Sequence, residues 1–402
     1  MARTTKNTRF RRRVILYLIT LLLSVAYLVV GNRIATGGED IFDPYYNGSV
    51  RAKVAVINEV RENDVSLEGM DPMVGYTIYF EARIMQGAQK NEVVYAMQQI
   101  DPYYYPQPKQ ISVGDRILIF PDSDMDENAD WIMMEYLRTD ALVWLGVIFG
   151  VLLLVFGRIK GFNTIVSLAF TCLAVFIVFI PAVLAGRNVY LWAIVTCVYI
   201  VLMTLLIVYG VNRKSIASGI GCIAGVATAG LLTLIMDQII HLTGMVNEDS
   251  LYLSMYNDKI DLKAVIFAAI IIGAIGAVMD VSMSIASSLT EISIVSRDPT
   301  PKKLIRSGLA IGRDIMGTMA NTLVLAYIGS SLSVVLLLVA HNGSFLELMN
   351  REMIVVDVLQ ALVGSYGILL TIPLTSLVCA ILFRRTQKAR AAAKAAAEGQ
   401  NR

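Results

Sequence analysis

The chain has 402 residues, of which 56% are hydrophobic and only 16% charged, and its formal net charge is +2. A soluble domain carries roughly a quarter charged residues, so this composition excludes an ordinary soluble protein. The near-neutral balance, with no basic block of the kind that binds phosphate backbones, argues against a nucleic-acid partner.

Arg9, Arg11, Arg12 and Arg13 precede an apolar run from Val14 to Val30. A basic start before an apolar run reads as a signal peptide or a signal anchor. The run is long for a cleaved peptide and no small-x-small site follows it, which favours an uncleaved anchor within residues 1–34.

Residues 35–137 differ in kind and hold six of the ten prolines. Val50 to Val56, Tyr76 to Ile84 and Val93 to Gln98 alternate in polarity, and Val113 to Phe120 offers a turn and then a strand. Period-two patterning between turn residues predicts antiparallel strands, and a segment of this size suits a small OB-like or SH3-like barrel. Asp101 to Pro108, with three tyrosines and three prolines, reads as a loop.

Seven further apolar spans follow within 138–385, near 141–157, 162–185, 189–210, 215–243, 262–290, 308–340 and 353–383. With the first helix this predicts an α-helical polytopic membrane protein of about eight transmembrane helices, because a span needs about 20 apolar residues. Arg158/Lys160, Arg213/Lys214, Lys302/Lys303/Arg306 and Arg384/Arg385/Lys388/Arg390 then fall on the side of the N-terminal arginines. The other side has Arg187, Lys259, Lys263, Arg351 and the acidic loop Asn247-Glu248-Asp249. The positive-inside rule places both termini, including the basic tail 386–402, in the cytoplasm and residues 35–137 outside.

The later spans carry the functional signal. Gly219, Gly221, Gly225 and Gly230 suit close helix approach. In the run Gly276 to Glu291, Asp280, Ser284, Ser287 and Glu291 share one face at about 100° per residue. In Gly312 to Thr322, Asp314, Thr318 and Asn321 do the same. A charge at the bilayer centre costs about 2.5–3.5 kcal/mol, a burden that makes sense if both faces line a cavity. A plainer reading leaves Glu291 and Asp314 at the interface, capping helices or paired with Arg297 or Arg313. Asp237 and His241, one turn apart, are secondary candidates for a cation, a proton relay or an interfacial hydrogen bond. Met279, Met283, Met316 and Met319 flank the two aspartates and could suit Cu(I) or serve as packing; the metal question stays open. Ser307 to Ala340 would form a helix of about 50 Å, so either an interfacial start or a break near Gly317 is expected. Gly364 to Gly367 with Pro373 marks a second candidate break. Cys172, Cys197, Cys222 and Cys379 all lie in apolar runs and fit no metal or redox spacing.

The strings Gly276-Ala277-Val278-Met279-Asp280-Val281-Ser282-Met283-Ser284-Ile285-Ala286-Ser287-Ser288 and Gly312-Arg313-Asp314-Ile315-Met316-Gly317-Thr318-Met319-Ala320-Asn321-Thr322, the latter running on to Gly329, resemble the YibE/F-like family of bacterial membrane proteins. The resemblance covers about 140–385. It implies a multi-pass protein of the bacterial plasma membrane and carries over no catalytic residue and no chemistry.

Two functions follow as expectations. One is a secondary transporter or channel coupled to a cation, a proton or a small solute through the intramembrane carboxylates. The other is a non-enzymatic envelope sensor or assembly scaffold whose outer domain binds a partner. An enzyme is not expected, since nucleophile, zinc and phosphate-loop motifs are missing. No cofactor is expected either. The lipid bilayer is the partner implied, and a homo-oligomer is compatible with the pattern.

Overall fold

The computed structural model describes residues 2–38, 48–65, 73–87, 89–103, 109–121, 129–296, 300–341 and 344–399. The chain divides into two compact units, residues 42–152 and residues 1–41 with 153–402.

The smaller unit is built on five strands: β1 (Val50–Val65), β2 (Met73–Ile84), β3 (Val93–Ile100), β4 (Arg116–Pro121) and β5 (Trp131–Tyr136). They close into a barrel in the order β1-β2-β3-β5-β4, with β4 returning to β1 and β3 parallel to β5. That order is the five-stranded Greek key of an OB-type barrel. One long strand can serve both β2 and β4 because β1 is bulged between Val54 and Val56 and again between Ile57 and Glu59; such bulges bend a strand and raise its twist. Ile78, Phe80, Ile84, Ile117 and Ile119 fill the interior at 1% exposure or less. On the barrel exterior Arg61 donates two hydrogen bonds to Glu59, at 2.8 and 3.0 Å, and holds that carboxyl below the usual carboxylate range. Strand β5 was not expected, since Trp131-Ile132-Met133-Met134-Glu135-Tyr136 does not alternate cleanly and three of its first residues are half-buried. The expected loop at 101–108 is described only to Tyr103, and Tyr104 to Pro108 lie outside the described residues.

The helices are α1 (Ala2–Thr36), α2 (Thr139–Leu173), α3 (Ile180–Leu184), α4 (Val189–Tyr209), α5 (Arg213–Ile240), α6 (Glu248–Tyr256), α7 (Leu262–Val295), α8 (Pro301–Ser330), α9 (Leu332–His341), α10 (Phe345–Met349) and α11 (Glu352–Gly399). Among the described residues six stretches are long and apolar enough to cross a membrane: Val14–Thr36, Thr139–Leu184, Val189–Tyr209, Arg213–Ile240, Leu262–Val295 and Glu352–Phe383. The second of these runs through α2, a wider π-helical turn at Ala174–Phe179 and α3. It is not straight. Arg158 takes φ 48° and ψ −125°, which no helix contains. Beyond it, Gly161 lies against the Leu153 carbonyl, so closely that a Cβ there would overlap it. Eight residues of unbroken helix would separate the two by about 12 Å, so the helix folds back at Arg158, at the boundary expected between 157 and 162.

Two expected breaks are not present. Helix α8 continues through Gly317, and α11 continues through Gly364 to Gly367 and Pro373. The expected span 308–340 is instead interrupted at Ser331, between α8 and α9, and it is not among the six apolar stretches. The reason is composition: α8 carries Lys302, Lys303, Arg306, Arg313 and Asp314, and it is amphipathic rather than apolar all round. The proline in α11 is tolerated because α5, α7 and α8 all pack on that helix and neighbours can support the freed backbone.

Helix α7 is the centre of the bundle. It packs against α4, α5, α8 and α11. Around it α4 packs on α5, α5 on α11 and α11 on α8, but among the described residues α8 and α4 have no comparable packing. The circle of neighbours is therefore open on one side.

Candidate functional site

Small residues set how closely these helices approach. A Cβ at Gly221 or Gly225 of α5 would overlap the hydroxyls of Thr375 and Thr371 of α11, and one at Gly308 or Gly312 of α8 would overlap Ser376 and Ile372. Both pairs are spaced four apart, as the small-xxx-small pattern requires for backbones in near contact. The seam between them is lined by Ser282, Thr371, Thr375 and Ser376, all fully buried. Ser282 donates to the Ser218 carbonyl at 2.7 Å, and its hydroxyl lies 3.1 Å from that of Thr375. Thr371 and Ser376 each donate to the carbonyl four residues back, at 2.7 Å. Thus the hydroxyls are satisfied and sit in an apolar interior at little cost.

Asp280 stands on the other side of α7. Two residues from Ser282 is about 200° around the helix, and Asp280 is exposed while Ser282 is not. Ser284 and Glu291 are exposed on the same strip and Ser287 is half-buried. The flanks of the strip, Met279, Val281, Met283, Ile285 and Ala286, are all buried. The strip is accordingly narrow. Toward the N-terminal end of α7 it continues over Gly276, where an added Cβ would meet nothing within 4 Å, to Gly273, which the Tyr327 hydroxyl and the Gln360 amide cover. Asp280 also lies within electrostatic reach of Tyr209 at the end of α4 and of Cys222 on α5. The polar strip thus runs from the neighbourhood of Tyr209 on α4 to that of Tyr327 on α8.

The second predicted face is placed differently. In α8 the buried residues are Leu304, Gly308 and Gly312, while Asp314, Thr318 and Asn321 are exposed. Asp314 is about 160–200° from Gly312 and Leu323 around the helix, and these two pack on α11. Asp314, Thr318 and Asn321 therefore line the side of α8 turned away from α11. Thr318 donates to its own helix, to the Ile315 carbonyl at 2.9 Å. Among the described residues no hydrogen bond or ion pair joins this face to the Asp280 strip. Arg297, the expected partner of Glu291, lies outside the described residues.

Asp237 meets Lys263, with Oδ1 3.7 Å from Nζ, and not the His241 ring. His241 ends α5 in the left-handed region at φ 57°. Met279 and Met283 are buried, with Met316 and Met319 packed against the same apolar cluster. Among the described residues no group of three or more His, Cys, Asp or Glu could hold a metal ion. The sequence reading missed Ser282 as an interior anchor and missed Glu352, whose carboxylate accepts from the Thr243 and Gly244 amides at 2.9 and 2.7 Å and from the Thr243 hydroxyl at 2.6 Å. The signal for the first was the pair Gly308/Gly312 matching Gly221/Gly225; Glu352 carried no local signal.

A helical bundle with six membrane-length apolar stretches, a polar strip on its central helix and a small five-stranded barrel defines a membrane protein. The family model for YibE/F-like proteins matches residues 145–385, which is more than half of the chain, and the protein belongs to that family. No curated protein and no solved structure is significantly similar to it.

Proposed function

We propose that the protein is a secondary transporter or channel of the bacterial plasma membrane, coupled to a cation or proton through Asp280. The observation that carries this reading is the uncovered strip Gly276-Asp280-Ser284 on a central helix whose flanking residues there are buried. A carboxylate on that strip is expensive in hydrocarbon and is tolerable in a water-filled crevice. In this reading the strip borders such a crevice, with Glu291 toward one end and Tyr327 near the other. Asp280 is the ion or proton site, Ser284 and Ser287 supply neighbouring oxygens, and Glu291 draws cations toward the strip. Asp314, Thr318 and Asn321 form a second polar face on α8. No catalytic step and no cofactor enter this reading.

The fold-back at Arg158 divides the stretch Thr139–Leu184 into two passages, and with α8 read as a further one the topology has eight passages. Both termini are then cytoplasmic and the barrel is extracytoplasmic, as the distribution of basic residues favours. The test is ion flux in proteoliposomes, with a pH-sensitive dye for protons and with sodium and potassium gradients. Asp280→Asn is expected to lower the coupled flux by about tenfold or more, corresponding to at least one missing charge interaction of ~1.4 kcal/mol. Flux equal to wild type in that variant, or no flux above empty liposomes with any of these ions, would overturn the proposal.

The second reading, an envelope sensor or assembly scaffold, is favoured by the closed barrel forming a compact unit of its own. Deleting residues 40–130 separates the two. A transporter retains part of its flux, whereas a scaffold loses its function outright.

A further inference from the structure

Away from the α7 strip, the bundle holds a wide cleft of about 730 Å³ between the Val14 to Thr20 segment of α1, the chain just after the Arg158 fold-back and the α4–α5 connection. Its walls are of two kinds. Leu18, Phe162, Leu206 and Val208 are apolar; Tyr17 and Lys214 are polar. The Tyr17 hydroxyl is shut off from solvent and has no hydrogen-bond partner among the described residues. Lys214 leans over the Tyr209 ring, with Nζ 5.8 Å from its centroid.

Lys214 lines the cleft, and three more cations adjoin its lining residues along the chain. Arg158 and Lys160 flank the lining residue Ile159, and Arg213 adjoins Lys214 at the amino end of α5. Among the described residues none of these four cations has a carboxylate within ion-pair distance. The first turn of the 28-residue α5 adds the positive pole of its dipole. A phosphate group is the chemistry that matches a lysine lining the cleft, further cations beside it and a helix amino end.

The apolar walls decide between a free phosphate and a lipid. A soluble anion would leave Leu18, Phe162, Leu206 and Val208 against water. A phospholipid places its phosphate at the Lys214 mouth and an acyl chain along those walls. The cleft also lies at the end of the bundle where the basic residues gather, where anionic headgroups commonly occupy basic pockets between helices.

We infer that this cleft is a binding site for an anionic phospholipid, which wedges α1 against α4 and the fold-back turn. Lys214 holds the phosphate, with Arg158, Lys160 and Arg213 adding charge nearby. The site is separate from the α7 strip and does not depend on any transport activity.

The full chain, extracted in mild detergent and placed in nanodiscs, tests this directly. Native mass spectrometry should find phosphatidylglycerol retained over phosphatidylcholine by about tenfold, the scale of one or two lysine contacts with an anionic surface. Lys214→Glu should remove that preference, and Leu18→Trp, which fills the apolar wall, should lower retention of the lipid while leaving the melting temperature of the protein in place. Lys90→Glu on the barrel serves as the charge control and should change nothing. Equal retention of the two lipids by the wild type would overturn the inference. So would unchanged retention in both cleft variants, or displacement of the lipid by inorganic phosphate, which would mark a site for a free anion.

Discussion

Ser282 and Thr375 meet across the interface of α7 and α11 with their hydroxyl oxygens 3.1 Å apart, and the α5 backbone completes the contact through the Ser218 carbonyl. Three helices are thereby joined at one buried point. Removing the hydroxyl with Ser282→Ala should cost only about 0.6–1 kcal/mol, the usual worth of an interhelical hydrogen bond in a membrane protein. Gly225→Val should cost more, about 1–3 kcal/mol, because its side chain would overlap Thr371 and force α5 from α11. Unfolding in detergent mixtures, followed by circular dichroism, gives both values; the reverse ranking would refute the close-approach argument.

The Glu352 carboxylate fastens the start of α11 to the turn after α5 through three hydrogen bonds. Bonds from a charged acceptor contribute about 1.5–3 kcal/mol when sheltered, and less here because Thr243 is exposed. Glu352→Gln should raise the hydrogen-exchange rate of the Thr243 and Gly244 amides by about tenfold, equivalent to ~1.4 kcal/mol of local stability, with little change in global unfolding. Unchanged exchange would show that the latch contributes nothing.

Arg158 holds φ 48° with ψ −125°, a region that suits glycine and burdens any residue with a Cβ. Arg158→Gly should raise thermal stability by about 1 kcal/mol, while Arg158→Val should lower it by at least as much. The two substitutions remove the same charge, so a difference between them isolates the backbone effect.

In the barrel, Phe80 is fully buried and Val60 is 48% exposed. Phe80→Ala should cost about 3–5 kcal/mol and unfold the barrel first, as followed by the fluorescence of Trp131. Val60→Ala should stay within about 0.5 kcal/mol. Equal effects would mean that the alternating pattern of β1 and β2 does not define the interior.

Much of this architecture is carried by local pattern. Long apolar runs announce the helices, and alternation announces β1 to β4, because each depends on residues a few positions apart. Strand β5 escaped, since Trp131 to Tyr136 pairs with β3 and β4 through contacts far along the chain and shows little alternation of its own. The candidate breaks near Gly317, where an interfacial start was the alternative, and at Gly364 to Gly367 are continuous helix for a related reason. Gly364 approaches Leu323 closely, so it serves packing between helices rather than interruption of one, and sequence letters do not distinguish the two uses.

Asp280, Ser284, Ser287 and Glu291 could be put on one face from the sequence alone, because the turn of a helix is a local property. So could Asp314, Thr318 and Asn321. Which neighbour each face meets is not local. It is decided by where α5, α11 and α8 come into contact through Gly225 with Thr371 and Gly312 with Ile372. Those contacts turn Ser282 inward, leave Asp280 on the open side of α7 and set the Asp314 face away from α11.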